Sequence, residues 1–453
     1  MNPGTTPVHV EAEETQQAPR DVVTVFVGLM LGMLVAAISQ TIVAPAMPRI
    51  VAELGGIEHY SWIATSAMLA SMVVVPIVGK LSDLYGRKPF YVGGIGFFMV
   101  GSLLSAAAPN FWSLVAARAV QGIGMGTMMP LSQAIIGDIV SPRERGKYQG
   151  PMGAVFGLAS IVGPLAGGYI TDNLHWRWLF LVNIPFGVLA LGFIIPFMHL
   201  PHIKRPHAID YWGIVTLSLG LTTTLLATIW GGTQYPWGSP QILGLYAAGA
   251  LLLGLFVFAE TRAVEPVLPL RLWRNSIFTL ANIANMAIAM AMFGSIFFIP
   301  VFIQGVIGND ATSSGAILIP MTLSMIGMSV ASGLIITRTG RYKALLLSGV
   351  AVMAVGFYLL TKMGVQTTNA EVVRDMILVG LGLGTSMQTY VLVVQNAVSR
   401  QDLGVATATT QLFRSLGATL GIALLGTVMV QGMMSEIPKH LPADALALMQ
   451  SSG

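Results

Sequence analysis

Long apolar stretches alternate with short polar segments along almost the whole chain. Each stretch is close to the roughly 20 residues that a helix needs to cross the hydrocarbon core of a bilayer. Thirteen are found, near residues 23–45, 60–79, 90–108, 112–137, 149–171, 178–199, 211–231, 241–260, 277–302, 313–336, 344–362, 374–396 and 405–430. The pattern predicts an all-α, multi-pass membrane protein with thirteen visible spans.

Composition supports this prediction and narrows the chemistry. The 453 residues are 54% hydrophobic and 9% charged, whereas a soluble domain carries roughly 25% charged residues. The sequence contains no cysteine, nucleophile–base set, metal-ligand cluster or Gly-x-x-x-x-Gly-Lys-Ser/Thr motif. We therefore expect no enzymatic activity, no cofactor, no metal site and no ATP drive. Because the basic residues lie in separate short loops rather than one patch, we expect no nucleic-acid partner.

The distribution of basic residues predicts the orientation. If the N-terminus is cytoplasmic, 16 of the 23 lysines and arginines fall on the cytoplasmic side and five on the other. This bias follows the positive-inside rule. We expect a protein of the cell membrane (plasma or inner) whose N-terminus is cytoplasmic. Residues 1–20 are polar and lack a positively charged signal peptide, which predicts a disordered cytoplasmic tail.

A short charged segment, Gly79–Lys88, separates the second and third spans. Its charges cannot stay in hydrocarbon, so the segment is predicted to be a tight loop at the membrane surface. The same frame (a glycine, six residues, then Gly-Arg) returns at Gly333–Arg341. A charged turn that occurs twice indicates a transporter built from repeated halves.

A second repeat has an offset of 258 residues. It relates Gly122–Met129 to Gly380–Met387, and it also pairs Ser141 with Ser399, Gly146 with Gly404, Gly163 with Gly421 and Gly168 with Gly426. We predict a tail (1–20), an N-terminal six-span half (21–200), an inserted two-span hairpin with its flanking loops (201–276) and a C-terminal half with its tail (277–453). The repeat requires a sixth span after residue 430, where no 20-residue apolar run is found. We expect truncation before a fourteenth span; the alternative is a protein without one.

Four segments together resemble a known family. Gly79–Lys88 is similar to the loop 2–3 signature of the major facilitator superfamily, and Arg118–Gly124 is similar to its span-4 signature. Gly163–Gly168 resembles the span-5 antiporter signature, and Trp176–Pro185 is typical of the fourteen-span drug:proton antiporter branch. The resemblance covers nearly the whole chain. It implies the major facilitator fold and export of amphiphilic small molecules (multidrug efflux) against protons, by rocking of two halves. We also expect a monomer in the lipid bilayer.

The charged loop is predicted to act as a conformational latch. Its two glycines permit a short turn and close helix approach. Asp83 can face basic side chains or a helix N-terminus, in contacts that form in one conformation and break in another. The alternative is that the basic residues only fix the topology. The predicted latch residues are Gly79, Asp83, Gly86, Arg87, Gly340 and Arg341.

Two arginines lie inside predicted spans, where a guanidinium must face a polar cavity or a partner. Snorkelling of Arg118 to the headgroups is the alternative for that side chain. The resemblance implies a role in proton coupling for Arg118, and Arg414 is a candidate for pairing with an anionic group, a carbonyl or a lipid headgroup. The predicted coupling or substrate cavity comprises Ser39, Thr41, Arg118, Gln121, Met125 and Arg414.

Small residues in the fifth span form a third candidate group. Gly163, Pro164, Gly167 and Gly168 are expected to bend the span and to let another helix come close. In a duplicated transporter, these faces allow one half to rock against the other. Static close packing is the alternative, since it would use the same residues.

The chain departs from the antiporter branch at Ser39, where the span-1 signature usually carries an aspartate. A serine hydroxyl does not titrate near neutral pH, whereas a buried carboxylate does. The candidate proton carriers are then the span-end acids Asp83, Asp138 and Asp310. A cavity with two arginines and no acid should favour anionic, zwitterionic or neutral amphiphiles. The alternatives to coupled export are a lipid or glycolipid flippase, an uncoupled facilitator and a non-transporting receptor.

Overall fold

The computed structural model describes residues 19–55, 59, 62–199, 208–232, 234–307 and 317–440. Within these residues the chain folds into thirteen long helices, which confirms the all-α prediction and the order of the predicted spans. They are α1 (Pro19–Thr41), α2 (Trp62–Tyr85), α3 (Arg87–Ala106), α4 (Phe111–Ile139), α5 (Arg145–Asn173), α6 (Asn183–Phe197), α7 (Tyr211–Trp230), α8 (Pro240–Arg262), α9 (Ser276–Phe302), α10 (Leu318–Thr339), α11 (Lys343–Leu360), α12 (Asn369–Ala397) and α13 (Leu403–His440).

Short helical segments complete the described chain. A 3-10 turn (Ala44–Ala46) and a helix (Met47–Leu54) follow α1, a short helix (Trp178–Leu181) precedes α6, and Leu270–Arg274, Ile303–Ile307 and Arg400–Asp402 form single turns. Twelve helical stretches in the described residues are long and apolar enough to cross a membrane, judged by length and composition. The remaining long helix, α4, has 29 residues and is rich in buried glycine and polar side chains.

Some predictions concern the ends of the chain and one loop. The helix α13 continues to His440, ten residues past the predicted end of the last span. The predicted disordered tail, Asp310 and the residues after 440 lie outside the described residues, so those predictions stay predictions.

Matching caps start the two central helices of the repeat. Asn110 and Ser113 form a capping box at the start of α4, and Thr368 and Glu371 form one at the start of α12. Each pair is separated by the same 258 residues that relate the glycine-rich segments. Such caps satisfy backbone N–H groups that would otherwise lack partners. The repeat therefore extends to the local chemistry that begins each helix.

We use half one for α1–α6 and half two for α9–α13. In half one, α4 packs against α2 and α3; in half two, α12 packs against α10 and α11. The halves meet through two equivalent helix pairs, since α5 packs on α10 and α13 packs on α2. The second helix of each half thus contacts the fifth helix of the other, as a pseudo-two-fold arrangement requires.

The inserted hairpin lies beside the junction of α2 and α13. Its helices α7 and α8 pack on each other, and α7 also contacts α2 and α13. Trp230 at the end of α7 packs edge-on against Trp62 of half one, with ring centroids 5.8 Å apart. Trp237 in the α7–α8 loop donates a hydrogen bond of 2.9 Å to the Thr427 hydroxyl of half two. The hairpin therefore contacts both halves.

Candidate functional site

The predicted latch loop lies where α2, α4, α10 and α12 end and α3, α5, α11 and α13 begin. We call this the latch end of the bundle. Asp83, in the last turn of α2, accepts hydrogen bonds from the backbone N–H groups of Gly404 (3.0 Å) and Val405 (2.9 Å). These groups open α13 of half two. A carboxylate is stabilised there because the first N–H groups of a helix lack intrahelical partners and carry partial positive charge.

Arg87 completes this contact from the start of α3. Its guanidinium forms an ion pair with Asp83 at 2.8 Å and a second one with Asp138 at the end of α4. Arg87 is 6% exposed. A buried charge is tolerated when it is paired and hydrogen-bonded, which both carboxylates provide here. The structure therefore joins α2, α3, α4 and α13 in one charged cluster.

Glycines allow the helices to approach at this cluster. A Cβ on Gly79 would lie 2.4 Å from the Cβ of Ala408, and a Cβ on Gly404 would lie 2.3 Å from Asp83 Oδ1. Gly86 separates α2 from α3 with φ of 93°, a left-handed value that disfavours other residues. The sequence signature is thus explained by close helix contact and a tight turn.

The second copy of the loop forms a different contact. A Cβ on Gly333 would lie 2.2 Å from the carbonyl oxygen of Gly146, so α10 and α5 also touch through glycines. Thr337 stands where the loop repeat places the counterpart of Asp83. Gly340 ends α10 in a left-handed conformation (φ 68°), and Arg341 is exposed. This copy of the loop thus has no acid at the position of Asp83, and a latch role for Gly340 and Arg341 stays a prediction.

Arg145 is a buried interhalf residue that is not among the predicted site residues. It is 4% exposed and donates to the Gly137 carbonyl at 2.6 Å and to Asn396 Oδ1 at 3.0 Å. It thereby links the start of α5 to the end of α12. Its charge resembled that of an ordinary loop cation, since its interhalf acceptor Asn396 lies 251 positions away in sequence.

Two buried glutamines continue the interhalf contact. Gln149 Nε2 of α5 donates to Gln395 Oε1 of α12 at 3.1 Å, and Gln395 Nε2 donates to the Gln133 carbonyl of α4 at 3.0 Å. Gln395 and Gly137 are equivalent positions of the repeat, 258 residues apart. They also lie close together, since a Cβ on Gly137 would be 3.4 Å from the side-chain amide of Gln395. In the sequence, these glutamines were marked only by being polar residues inside predicted spans.

Arg118 is buried in half one rather than snorkelling to the surface. It is 2% exposed, and its Nε donates to the Ile63 carbonyl at 3.1 Å. Its Nη1 donates to Gln121 Oε1, while its guanidinium lies 5.8 Å from the Phe180 ring centroid. The prediction that it faces partners within the protein is supported, and the snorkelling alternative is wrong for this conformation.

Ser39 belongs to the same network. Gln121 Nε2 donates to Ser39 Oγ at 3.0 Å and to Ser102 Oγ at 2.7 Å. All three side chains are fully buried. The residue at the position of the antiporter aspartate is therefore two hydrogen bonds from Arg118, through Gln121. The network connects α1, α3 and α4 with neutral acceptors around one cation.

Two predicted cavity residues have packing roles instead. Thr41 Oγ1 donates to the Ala159 carbonyl of α5 at 3.0 Å. Met125 is 1% exposed and belongs to the apolar core of half one. Residue type alone did not distinguish a cavity-lining methionine from a core methionine, because both require a flexible apolar side chain.

The span-5 glycines pack inside half one. A Cβ on Gly163 would meet the Thr41 hydroxyl at 1.9 Å, and one on Gly167 would meet the Ile42 carbonyl at 2.2 Å. Pro164 lies within α5, and no atom lies within 4 Å of the Cβ position of Gly168. The expectation of a contact with half two is wrong for Gly163 and Gly167. Because α5 faces α10 only along its first part, its later glycines serve the α1–α5 contact.

The interhalf glycines of α5 lie earlier in the helix. Positions for a Cβ on Gly150, Gly153 and Gly157 all fall within 3 Å of atoms of α10. Ser329 of α10 donates to the Gly150 carbonyl at 2.9 Å. These glycines form a small-residue face of the kind that permits close helix packing. They lie outside the signature segment Gly163–Gly168.

Arg414 reaches across the middle of the bundle. It lies in α13, is 6% exposed, and its guanidinium carbon is 4.5 Å from the centroid of the Phe156 ring in α5. Its Nη2 donates to Gln411, one turn away on the same helix. The sequence predicted a buried arginine here but not its aromatic partner in half one.

Three buried acids were not among the predicted proton carriers: Glu260, Asp375 and Asp402. Asp375 lies in the second turn of α12 with a side-chain exposure of 3%, and it pairs with the exposed Arg374 at 2.8 Å. Asp375 is the second residue of the predicted span 374–396, so its burial was not indicated by its place in the sequence. The carboxylates at the latch end, Asp83 and Asp138, are both engaged by Arg87.

Membrane-length helices in two equivalent sets, joined by buried polar contacts at one end, define a polytopic membrane transporter. The chain belongs to the Major Facilitator Superfamily, whose model matches residues 29–422. This confirms the family inferred from the loop and span signatures.

Several proteins similar to this chain are named for transport or multidrug resistance. The chain is 41% identical over 418 residues to the multidrug transporter protein MdtP of Bacillus subtilis, covering 92% of this chain and 77% of that protein. It is 38% identical to multidrug resistance protein 3 of the same organism over 404 residues, covering 89% and 79%. It is 39% identical to an uncharacterized MFS-type transporter of Mycobacterium tuberculosis, covering 98% of this chain and 65% of the relative's length.

Two solved structures share the fold. The human organic anion transporter MFSD10 (TETRAN) matches with a TM-score of 0.66 at 17% identity, covering 90% of this chain and 93% of that chain. The proton:xylose symporter XylE matches with a TM-score of 0.63 at 13% identity, covering 93% and 96%. At these identities the likeness establishes the fold alone.

Proposed function

We propose that the protein exports amphiphilic small molecules across the cell membrane by alternating access, as a multidrug efflux transporter. The relatives named for multidrug transport support this substrate class. In the proposed cycle, half one and half two rock against each other, and the substrate cavity lies between them. We propose the division that the repeat predicts, with halves at 21–200 and 277–453 and an inserted hairpin at 201–276.

The observation that carries the proposal is the matched pair of contacts at the latch end. Asp83 holds the start of α13 through two backbone hydrogen bonds, while Gly146 and Gly333 bring α5 against α10. Both contacts join the halves at the same end. Such contacts are expected of a structure that closes one side of a central cavity and releases it in another state.

We assign the latch end to the cytoplasm. Basic residues are concentrated in the loops at this end, in accord with the positive-inside rule. The N-terminus is then cytoplasmic as well. The present conformation corresponds to an outward-facing state, since the halves are joined by hydrogen bonds at the cytoplasmic side. Release of Asp83 from α13 would accompany the change to an inward-facing state that takes up substrate.

We propose protons as the coupling ion, with a carboxylate other than one on α1 as the carrier. Ser39 takes the position of the usual acid, and its contact with Gln121 leaves no titrating group in the Arg118 network. The side chains of Asp83 and Asp375 are 5% and 3% exposed and lie at opposite ends of the bundle. Either one changes its protonation state only at a cost in its present ion pair.

An uncoupled facilitator is the second candidate. One observation favours it: the described partners of Arg118 and Ser39 are neutral. A network without an acid requires no proton for its charge balance. The two candidates differ in their response to a pH gradient.

Transport by protein reconstituted into liposomes tests both candidates. We would measure accumulation of a fluorescent amphiphile with and without an imposed pH gradient, for the wild type, Arg118→Ala and the exposed control Arg341→Gln. Gradient-driven uptake that is lost in Arg118→Ala and kept in Arg341→Gln supports coupled export. Equal rates with and without the gradient establish the facilitator, and no carrier-dependent flux of any amphiphile overturns the proposed function.

A further inference from the structure

We infer that Arg414 and Phe156 together form the binding site for the anionic group of an amphiphilic substrate, a carboxylate, sulfonate or phosphate ester. This inference rests on the proposed function and names the substrate class of the central cavity. The arginine edge binds the anion, and the phenylalanine ring holds the guanidinium and contacts the apolar part of the molecule.

Phe156 and Arg414 occupy equivalent positions of the internal repeat. Phe156 and Arg414 are 258 residues apart, the offset of the internal repeat, and each is the twelfth residue of its helix. The two positions are therefore equivalent in half one and half two. Equivalent positions of two pseudo-symmetric halves touch only near the axis that relates the halves. Their contact at 4.5 Å places this pair at the centre of the bundle.

The depth of the pair agrees with a substrate site. Phe156 and Arg414 lie eleven positions after the first residues of α5 and α13, which corresponds to roughly 17 Å of helix. Gln395 and Gly137, a second equivalent pair, meet closer to the latch end. Along the axis from the latch end, the Gln395–Gly137 contact comes first and the Arg414–Phe156 contact lies beyond it. Substrate sites of secondary transporters lie near the bilayer midplane at the repeat interface.

Arg414 makes few hydrogen bonds for a buried guanidinium. A guanidinium carries five N–H donors in one plane. In the described residues, Arg414 has one hydrogen-bond acceptor, Gln411, and its cation is 6% exposed. A buried cation with so few acceptors is costly unless an anion completes its shell. The guanidinium carbon lies over the Phe156 ring, and we infer that the donors that do not bond to Gln411 remain for a bidentate anion.

Arg118 provides an internal comparison. It is also buried and also lies near an aromatic ring. However, it donates to two acceptors, Ile63 and Gln121, through Nε and Nη1. These contacts lie within half one, so they persist when the halves move. Arg118 is therefore provided with protein partners, whereas Arg414 faces the other half with its donors largely unused.

Phe156 explains why the site accepts amphiphiles rather than small inorganic anions. Its ring is half-buried and packs on the apolar core of half one. A cation over an aromatic face is stabilised by the ring quadrupole, so Phe156 holds Arg414 in place before the ligand arrives. An aromatic or aliphatic group attached to the anion can then pack on the exposed part of the ring. Movement of the halves separates or joins the two parts of the site, which couples binding to conformation.

Binding of a matched pair of probes tests the inference. We would measure fluorescence anisotropy of the purified protein in nanodiscs with a fluorescein carboxylate and with its methyl ester, which differ by one negative charge. The variants are Arg414→Gln, Arg414→Lys and Phe156→Leu, with Arg341→Gln as the exposed control. Thermal unfolding verifies that each variant is folded.

We expect Arg414→Gln to weaken binding of the carboxylate by about 10- to 100-fold, as for loss of a charge-assisted hydrogen bond. Binding of the ester should change by less than about twofold, because the ester lacks the carboxylate that would pair with Arg414. Arg414→Lys should retain part of the carboxylate affinity, since it keeps the charge without the fork. Phe156→Leu should weaken both probes. Equal losses of carboxylate and ester in Arg414→Gln, or no loss of either, overturn the inference.

Transport separates this inference from the proposed function. If Arg414→Gln still exports the ester at the wild-type rate but no longer exports the carboxylate, both proposals hold. If wild-type protein binds the carboxylate through Arg414 but moves neither probe, the binding site stands and the exporter fails. If wild-type protein exports the ester and Arg414→Gln leaves carboxylate export unchanged, the exporter stands and the anion site fails. Should Arg414→Gln not fold, the carboxylate-to-ester ratio in Arg414→Lys gives the same test.

Discussion

Gly333 and Gly146 approach so closely that a Cβ on Gly333 would lie 2.2 Å from the Gly146 carbonyl oxygen. Their repeat counterparts, Gly79 and Gly404, are also in contact, with 3.0 Å between a Cβ on Gly79 and the Gly404 carbonyl oxygen. Two equivalent glycine contacts therefore close the same end of the bundle. Only the Gly79–Gly404 contact is reinforced by an acid, Asp83. The two glycine contacts are therefore alike in their backbone arrangement and differ in the charge beside them.

Gly333→Ala should shift the protein away from the conformation closed at the latch end. The added methyl group would overlap backbone atoms, which a side-chain rotation cannot relieve, and overpacking of this kind costs about 1–3 kcal/mol. The chain contains no cysteine, so Ser332→Cys supplies a single probe beside the α5–α10 contact. We expect a membrane-impermeant thiol reagent to label it about 5- to 100-fold faster in the Gly333→Ala background.

Gly327→Ala is the matched control for that experiment. Gly327 lies on the same helix, and its Cβ position has no atom within 4 Å. Its substitution should leave the labelling rate of the Ser332→Cys probe unchanged. Identical acceleration in both backgrounds would show that general loosening of α10, rather than the glycine contact, is responsible.

Arg87→Gln should destabilise the protein strongly. Arg87 is the counter-ion of both Asp83 and Asp138, and removing one partner of a buried ion pair costs about 3–5 kcal/mol. We expect a clear fall in the thermal unfolding temperature in nanodiscs. Arg341→Gln alters the repeat-related arginine, which is exposed, and should leave that temperature unchanged. A similar, small shift in both variants would contradict a stabilising role for the charged cluster.

The repeat was predictable from sequence to the level of single caps. The offset of 258 residues found from glycines also relates Asn110 to Thr368, which begin α4 and α12. The hydrogen bonds of a helix cap join residues that are close in sequence, so a sequence pattern can reveal them. The same offset relates Phe156 to Arg414, but these residues differ in type, and nothing in a pattern of similar residues indicates that they touch.

Other contacts could not be predicted because their partners are distant in sequence. Arg145 bonds to Asn396, 251 positions away, and its charge alone resembles that of any cytoplasmic loop cation. Gly163 and Gly167 correctly indicate a close helix contact, but a small residue does not specify which helix approaches it. In the structure that helix is α1. Packing partners are set by the whole bundle rather than by the span itself.

Trp237→Phe should weaken the attachment of the inserted hairpin to half two. The change keeps an aromatic ring but removes the N–H donor of the 2.9 Å hydrogen bond to Thr427. A net hydrogen bond contributes about 0.5–1.5 kcal/mol, so we expect a modest fall in the unfolding temperature. Trp212→Phe is the control, because Trp212 is 76% exposed on α7. Equal unfolding temperatures for the two variants would show that the hairpin does not depend on this bond.

Ser39→Asp should make transport depend on the pH gradient more strongly than it does in the wild type. The new carboxylate would accept from Gln121 Nε2, which now donates to Ser39 at 3.0 Å, and it would lie close to the Arg118 guanidinium. A carboxylate beside a buried cation exchanges a proton according to whether the pair is intact, because desolvation favours the neutral acid and the arginine favours the anion. In reconstituted liposomes, we expect the ratio of export with and without the gradient to rise in Ser39→Asp.

Ser39→Asn keeps a similar shape without a titrating group, so its ratio should equal that of the wild type. An equal rise in Ser39→Asn would show that the size of the side chain, and not its charge, alters the transport cycle.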